Sequence, residues 1–211
     1  MHLNLIPVPA HVEIRDLDII LDRKDISLSD AIRRYVTKAD EVISGTGHII
    51  VEHIPDSSLG AEEYKLRVAA DRIEITASAP NGVYYGLVTL SQLFALNDGM
   101  ICSLEIIDRP TMPLRGISDD ISRGQVSTLQ NFKDILRRMS LVKCNVYMPY
   151  MEDTFQYKQY PESGKYSDPV TQEEWKELIE YAKDRPIFKW GFGCWVGSMK
   201  RWPATPWAKP S

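Results

Sequence analysis

The pattern of apolar and polar positions at the start of the chain changes its period several times. Residues 12–21 mix isoleucine and leucine with charged residues, as a half-buried strand does. Residues 28–42 carry apolar side chains three or four positions apart, which predicts a helix capped by Ser27. Residues 64–69 and 72–77 alternate apolar and polar positions on either side of a tight connection, which predicts a hairpin.

A helical pattern over 83–96 and a strand over 101–107 complete this first region. Pro110 and Pro113 follow, and two prolines so close together exclude both a helix and an inner strand of a sheet. We therefore place a domain boundary there and predict that residues 1–110 form an α+β domain.

Beyond the prolines, short strands alternate with helices. Residues 114–121 and 145–150 have strand character, and helical patterns begin after Thr128 and after Thr171. A glutamate three residues beyond Thr171 completes the signature of a capping box. Strands that alternate with helices favour parallel pairing, and eight such units close into a barrel. Residues 111–185 are therefore predicted to be the first two βα units of a (β/α)8 barrel.

The composition changes abruptly after residue 185. Residues 186–211 contain four of the five tryptophans but no aspartate or glutamate, and they sustain neither a helical nor a strand period. The change falls abruptly inside a helical pattern, after Ala182-Lys183-Asp184. We expect residues 186–211 to be a Trp- and Pro-rich tail that is not native to this fold, with a tryptophan-rich surface loop as the alternative.

The overall composition is ordinary for a globular protein. Hydrophobic residues make up 44% of the chain and charged residues 26%, and the net charge is −4. No block of like charges marks a nucleic-acid-binding surface. No stretch approaches the roughly 18 apolar residues of a membrane span, and the first residues lack the pattern of a signal peptide. Neither a nucleic acid nor a membrane is expected as a partner.

The positions of the cysteines and histidines limit the cellular compartment, the metal sites and the catalytic triads to be expected. Cys102, Cys144 and Cys194 lie far apart, as free thiols in a reducing compartment do, so a cytoplasmic protein is expected. An exported form whose leader was removed is the alternative. All four histidines fall in the first quarter of the chain, and no HExxH motif occurs. We therefore expect no metal site, no cofactor and no histidine-based triad in the later half.

Three stretches carry distinctive motifs. The first is Leu5-Ile6-Pro7-Val8-Pro9, and the second runs over residues 63–93 as two strands followed by a glycine-bearing helix. The third contains Ile107-Asp108-Arg109-Pro110, Arg115-Gly116, Asp120-Ile121-Ser122-Arg123, Lys143-Cys144-Asn145 and Glu152-Asp153. Together they resemble the accessory domain and the first two barrel strands of glycoside hydrolase family 20, the β-N-acetylhexosaminidases.

The resemblance implies an α/β chain, with an α+β accessory domain and a mixed sheet over 1–110, then an incomplete TIM-type barrel over 111–185. It implies an N-acetylhexosamine-containing glycan as the partner, and substrate-assisted, retaining removal of terminal GlcNAc or GalNAc. In this family an aspartate orients the sugar's 2-acetamido group, and an adjacent glutamate protonates the leaving oxygen. Because the family places that pair after the fourth barrel strand, no catalytic residue is assigned here, and we expect a truncated, inactive fragment.

The resemblance assigns two substrate-binding residues. Arg123 matches an arginine that binds sugar hydroxyls, and the five donors of a guanidinium suit neighbouring hydroxyls. A structural ion pair with Asp119 or Asp120 is the alternative. Asp153 matches a carboxylate that supports the site at the end of the second barrel strand, while the direction in which Glu152 faces is left open.

Other residues of the region receive structural roles. Arg115 is expected to pair with acidic residues at the bottom of the barrel. Most aromatic residues around the second barrel strand are expected in the core, not stacked on a sugar: Tyr147, Tyr150, Phe155 and Tyr157. Gly124 stands where many family members have a histidine, and residues 148–150 lack another, so the exact sugar preference is not carried over.

Two other functions stay open. One is a non-catalytic carbohydrate-binding or interaction module. The other keeps the glycosidase class but changes the bond, as in family 84 enzymes or α-glucuronidases, some of which have similar accessory domains. A partial barrel also exposes unpaired strand edges, so self-association through these edges is expected.

Overall fold

The computed structural model describes residues 2–124, 126–160, 162, 164–187 and 189–190. These residues form a six-stranded mixed sheet and a three-stranded parallel sheet, each packed on its own helices. Each sheet has its own hydrophobic core. The chain is therefore a mixed α/β protein, as predicted.

The first sheet contains β1 (His11–Asp22), β2 (Ile26–Leu28), β3 (Ile49–Pro55), β4 (Tyr64–Val68), β5 (Arg72–Ala77) and β6 (Met100–Asp108). Its strand order is β1-β6-β4-β5-β3-β2. The β1–β6, β6–β4 and β4–β5 pairs are antiparallel, whereas β3 pairs in parallel with both β5 and β2. The predicted hairpin of β4 and β5 is confirmed.

Helices cover one face of this sheet: α1 (Asp30–Tyr35), α2 (Ala39–Val42) and α3 (Pro80–Leu96). The longest, α3, approaches the hairpin closely because two of its residues are glycines. A Cβ on Gly86 would lie 2.7 Å from Ile75 Cγ2, and a Cβ on Gly82 would lie 2.5 Å from Glu63 O. The glycine-bearing helix noted in the sequence is therefore a packing requirement.

The single helix predicted over 28–42 is wrong in its bounds. Its first residue, Leu28, instead ends β2, which pairs in parallel with β3. Ser29, not Ser27, caps α1, because its hydroxyl accepts from the Ile32 amide at 3.3 Å. The helix then stops at Val36, whose backbone is extended, before α2 begins. Pairing with a distant strand outweighed the local helical period.

The second sheet contains three parallel strands, β7 (Gly116–Asp120), β8 (Val146–Tyr150) and β9 (Lys189–Trp190). Two helices connect them, α4 (Leu129–Leu141) and α5 (Gln172–Lys183). Both N-terminal caps are as predicted: the Thr128 hydroxyl accepts from the Asn131 amide, and Thr171 forms a full capping box with Glu174. The predicted parallel pairing of the two strands is confirmed.

Residues just beyond 185 are packed into this fold. Ile187 is 1% exposed and belongs to the core of the second sheet, and the Pro186 carbonyl accepts from the Tyr85 hydroxyl at 3.4 Å. Strand β9 then pairs with β8. Residues 191–211 lie outside the described residues, so the foreign origin of the tail stays a prediction.

A buried ionic cluster joins the two sheets. Lys143 Nζ, in the turn between α4 and β8, lies 2.8 Å from Asp108 Oδ2 and 2.8 Å from the Tyr64 hydroxyl. The Tyr64 hydroxyl also contacts Thr89 Oγ1 at 2.6 Å. Burial lowers the pKa of Lys143, an effect that the Asp108 charge opposes, and burial raises the pKa of Tyr64 well above its usual value. The cluster supplies partners for its polar groups, as burial away from water requires.

A second cluster lies beside the first. Arg115 Nη2 is 2.9 Å from Glu62 Oε2, and Arg115 Nε donates to the Lys143 carbonyl at 2.9 Å. Asn145 donates to Glu62 Oε1 at 2.9 Å and accepts from the Arg115 amide at 2.9 Å. Arg115 pairs with an acidic residue, as predicted, but that residue is Glu62, which belongs to residues 1–110 and not to the barrel strands.

Candidate functional site

The candidate site lies where β7 and β8 end side by side. Asp120, the last residue of β7, is in register with Tyr150, the last residue of β8. The Ile121 amide donates to the Tyr150 carbonyl at 3.1 Å, which extends the pairing by one residue. Parallel strands bring the side chains that follow them to one edge of the sheet. Ligands of α/β folds bind at this carboxyl edge.

Arg123 is the centre of the site. Its Nη1 donates to Asp120 Oδ2, and its Nη2 lies 3.1 Å from Glu152 Oε1. The guanidinium carbon also lies 5.3 Å from the centre of the Tyr150 ring, within the range of a cation–π contact. The Arg123 side chain is 63% exposed, so a ligand in solvent reaches it.

The partners of Arg123 are themselves held in place. Asp120 Oδ1 accepts from the Ser122 amide at 3.0 Å and from the Ser122 hydroxyl at 2.7 Å. The Tyr150 hydroxyl donates to Glu152 Oε1 at 3.0 Å. The bonds from Ser122, with a further contribution from Arg123, lower the pKa of Asp120. The bond to Asp120 in turn raises the pKa of Arg123. The site therefore presents a permanent cation between carboxylates.

The two predicted substrate-binding residues lie in different surroundings. Arg123 occupies the expected edge and also forms the ion pair with Asp120 that was its alternative. The Asp153 carboxylate accepts instead from the Ser167 hydroxyl, at 3.2 Å, and so holds the loop that follows β8.

Sequence reasoning left Glu152 unassigned, yet this residue contacts Arg123. One available signal pointed to it. Glu152 lies two positions after Tyr150, and if the strand is continued to residue 152, residues two apart face the same side.

Tyr147 and Phe155 lie in the core and Tyr157 packs against it, as predicted, whereas Tyr150 lies at the candidate site. Tyr147 is fully buried against Phe132, and its hydroxyl donates to Asp119 Oδ2 at 2.7 Å. Phe155 is also buried and packs edge-on against Tyr157, with 4.9 Å between the ring centres. Tyr150 alone of these contacts Arg123.

Two further features of the described residues concern metal ions and membranes. In that part of the chain, no three histidine, cysteine, aspartate or glutamate side chains are grouped so that they could hold a metal ion. Among the same residues, no helix has both the length and the apolar character needed to cross a membrane.

Comparison with known proteins defines the class. The sequence model for glycosyl hydrolase family 20, domain 2, matches residues 2–109, which is the unit built on the six-stranded sheet. The chain therefore belongs to glycosyl hydrolase family 20.

Curated relatives agree with this assignment. The chain is 30% identical over 156 residues to the β-hexosaminidase subunit beta of Entamoeba histolytica, a match that covers 67% of this chain and 27% of the relative. It is 37% identical over 103 residues to the chitooligosaccharidolytic β-N-acetylglucosaminidase of Ostrinia furnacalis, covering 44% and 17%. The chain thus spans less than a third of the length of these relatives.

Solved structures of the family share the fold. A Streptomyces plicatus β-hexosaminidase mutant in complex with GlcNAc superposes with a TM-score of 0.74 at 22% identity, over 89% of this chain and 45% of that protein. The β-N-acetylhexosaminidase from Bacteroides fragilis superposes with a TM-score of 0.69 at 25% identity, over 87% and 42%. Both similarities extend beyond the first sheet, since they cover most of the chain.

Proposed function

We propose that this chain is the front part of a β-N-acetylhexosaminidase, with residues 1–110 as the accessory unit and residues 111–185, which contain the strands β7 and β8, as the first two βα units of a (β/α)8 barrel. The parallel order of these strands and the helices between them support this proposal. The open face of the second sheet supports it as well. Parallel sheets occur with both faces covered, whereas Met148 of β8 is 41% exposed.

The proposed ligand is a terminal N-acetylhexosamine, bound through its hydroxyls by Arg123. The observation that carries this proposal is the position of the exposed guanidinium at the carboxyl ends of β7 and β8, ordered by Asp120, Glu152 and Tyr150. A planar fork of donors matches neighbouring hydroxyl oxygens. The Streptomyces relative in the comparison was solved with GlcNAc, which belongs to the same sugar class.

The same geometry points to binding without cleavage at this cluster. A glycosidase needs a carboxyl group that stays protonated until it protonates the leaving oxygen, and such an acid has a raised pKa. Asp120 has a lowered pKa, because Ser122 and Arg123 stabilise its charged form. Glu152 Oε1 accepts hydrogen bonds from both Arg123 and the Tyr150 hydroxyl. We therefore propose that the 211-residue chain binds the sugar but does not hydrolyse its glycosides.

The test combines binding with turnover. Saturation-transfer NMR of the purified chain with methyl N-acetyl-β-glucosaminide is expected to show saturable binding that Arg123→Ala abolishes. Arg138→Ala, which removes an exposed arginine from α4, is the matched control and is expected to change nothing. A chromogenic N-acetyl-β-glucosaminide is expected to release no colour above the uncatalysed rate.

Each result decides a different part of the proposal. Binding that survives Arg123→Ala overturns the role of Arg123. Turnover of the chromogenic substrate overturns the proposal that this chain does not hydrolyse glycosides. No binding by the unmodified chain overturns the sugar site in this fragment.

We propose that Asp153 affects sugar binding indirectly, by holding the loop after β8 in place. Its bond to Ser167 ties the start of that loop to its later part. Asp153→Asn keeps the shape of the side chain but removes its charge. It is expected to weaken binding of the same glycoside by about threefold, because the charge-assisted hydrogen bond from Ser167 becomes a neutral one at an exposed site. Unchanged binding would remove Asp153 from the site.

A further inference from the structure

We infer that residues 1–110 form a platform on which the start of the barrel is held folded, and that the described residues of 111–190 open as a separate body while the six-stranded sheet stays intact. We call these two parts the first unit and the second unit. The inference rests on the proposed barrel start but not on the sugar site, because it holds for any ligand.

Helix α3 is shared between the two units. A helix at a protein surface keeps one polar face, whereas residues 82–90 of α3 are all buried. One side of the helix packs closely on the hairpin through Gly82 and Gly86. The other side meets the second unit, where the Tyr84 hydroxyl lies 2.8 Å from Ser140 Oγ. The second unit therefore covers a face of α3 that its own sheet leaves open.

The ion pairs between the units all have the same polarity. Among the described residues, every such pair joins a carboxylate of the first unit to a cation of the second. The pairs are Glu62 with Arg115, Asp108 with Lys143, and Glu41 with Arg185. The three cationic side chains are 16%, 5% and 1% exposed, so docking removes each of them from most of its water.

This polarity makes the first unit a specific partner. While the second unit is docked, each of its buried cations needs the carboxylate that faces it. Once the second unit opens, water solvates the cation instead. Removing a carboxylate from the first unit therefore favours the open state. The surface of the first unit fits a partner that presents cations at these three positions.

The dependence runs in one direction. The first unit has six strands and a core whose buried members all lie between Leu5 and Ile106. The second unit has three described strands, and Met148 on its open face is 41% exposed. Ile117 of the edge strand β7 is 42% exposed. Because the smaller sheet covers its apolar side chains less completely, we expect the second unit to open before the first unfolds.

The linker between the units allows such an opening. Strand β6 ends at Asp108 and β7 begins at Gly116, and residues 109–114 between them are all exposed. No described strand of one sheet pairs with a strand of the other. A rotation about the linker therefore separates the units without breaking a strand pair.

Native-state hydrogen exchange of the full chain tests this inference, with urea below the unfolding transition and mass spectrometry of the peptides. Amides of β7, β8 and α4 are expected to exchange through opening of the second unit. Amides of β4 and β5 are expected to exchange more slowly, through global unfolding alone. Two substitutions then distinguish separate opening from a single cooperative body.

The first substitution, Ile73→Val, lies in the core of the first unit, where Ile73 is fully buried. The open state retains that core, so the substitution weakens the folded and the open state equally. Exchange in β4 and β5 is expected to become about fivefold faster, the usual effect of removing one buried methylene. Exchange in β7 and β8 is expected to stay unchanged.

The second substitution, Glu62→Gln, lies at the interface and removes the charge that faces Arg115. Only the docked state loses this pair, so exchange is expected to become about tenfold faster in both units, because a charge-assisted hydrogen bond becomes a neutral one. Glu74→Gln is the matched control, since Glu74 also pairs with one arginine, Arg67, but on the surface of the first sheet. It is expected to leave exchange in the second unit unchanged.

The outcomes are separate from those of the sugar-binding test. If Ile73→Val speeds exchange equally in both units, the chain unfolds as one body and the inference is overturned. If Glu62→Gln behaves as Glu74→Gln does, the ion pair does not hold the second unit on the platform, and the inference is overturned as well. Loss of sugar binding with both expected exchange patterns retained would overturn the proposed sugar site alone.

Discussion

Lys143 Nζ lies 2.8 Å from Asp108 Oδ2, and this ion pair joins the turn before β8 to the last residue of β6. Both side chains are buried, at 5% and 11% exposed. The strand that ends in the candidate site is thus anchored at its other end to the first sheet. Residues 1–110 therefore help to hold β8 in place.

Removing Lys143 is expected to destabilise the chain strongly. Lys143→Met leaves the Asp108 charge buried without its cation, and breaking a buried pair in this way costs about 3–5 kcal/mol. Urea unfolding followed by circular dichroism measures the change. Lys65→Met is the control, because Lys65 is 42% exposed and lies 3.8 Å from Asp56, a surface pair worth less than about 1 kcal/mol. Equal losses in the two variants would contradict the role of the buried pair.

Alkaline pH is expected to unfold the chain through its buried tyrosines. Burial raises the pKa of four of them: Tyr64, Tyr84, Tyr85 and Tyr147. Because their folded pKa exceeds the unfolded value of about 10, the stability they contribute is complete below that pH and is lost as the pH rises above it.

A titration of tyrosinate absorbance, run beside circular dichroism, checks this expectation. Part of the absorbance change is expected to coincide with the loss of secondary structure. If all ten tyrosines ionise while the circular dichroism stays native, the burial argument is wrong.

Gly116→Ala is expected to disrupt the pairing of β7 and β8. A Cβ at this position would lie 1.7 Å from the Val146 carbonyl oxygen, and both strands would have to move. We expect a loss of about 3 kcal/mol in the free energy of unfolding, the cost of forced overpacking, together with weaker sugar binding. Ser118→Ala, at an exposed position of the same strand, is expected to be neutral. Native stability in Gly116→Ala would refute the close approach.

Thr171→Ala is expected to destabilise α5 by about 1 kcal/mol, the usual cost of losing a side-chain cap. The Thr171 hydroxyl accepts from the Glu174 amide at 3.1 Å, and the Glu174 carboxylate accepts from the Thr171 amide at 2.8 Å. Thr171→Ser keeps the hydroxyl and is expected to retain nearly full stability in urea. If the serine variant loses as much as the alanine variant, the cap is not the cause.

Local patterns predicted the elements whose stability is local. The alternation in β4 and β5 and the tight connection between them indicated the hairpin, and the residues after Thr128 and Thr171 indicated capped helices. In each case the partners lie within a few positions along the chain. The same reasoning failed at Ser27 and Leu28, because they belong to a strand that pairs with the distant strand β3.

The candidate site was likewise predictable only in part. Arg123 was assigned from a short motif next to a predicted strand, and the structure puts it at the strand end. Its contact with Glu152 depends on how β8 lies beside β7, and 29 positions separate the two residues. Periodicity along β8 indicates which side Glu152 faces, but it does not identify Arg123 as the partner.

Local sequence features were sufficient to predict the α/β class, the hairpin, the caps of α4 and α5, and the resemblance to family 20, because propensity, capping and motif spacing act over short stretches. Three contacts became known from the folded chain: Lys143 with Asp108, Arg115 with Glu62, and Glu152 with Arg123. These contacts join residues far apart in the chain. Charged and polar side chains have many potential partners in a sequence, and the packing of the strands selects among them.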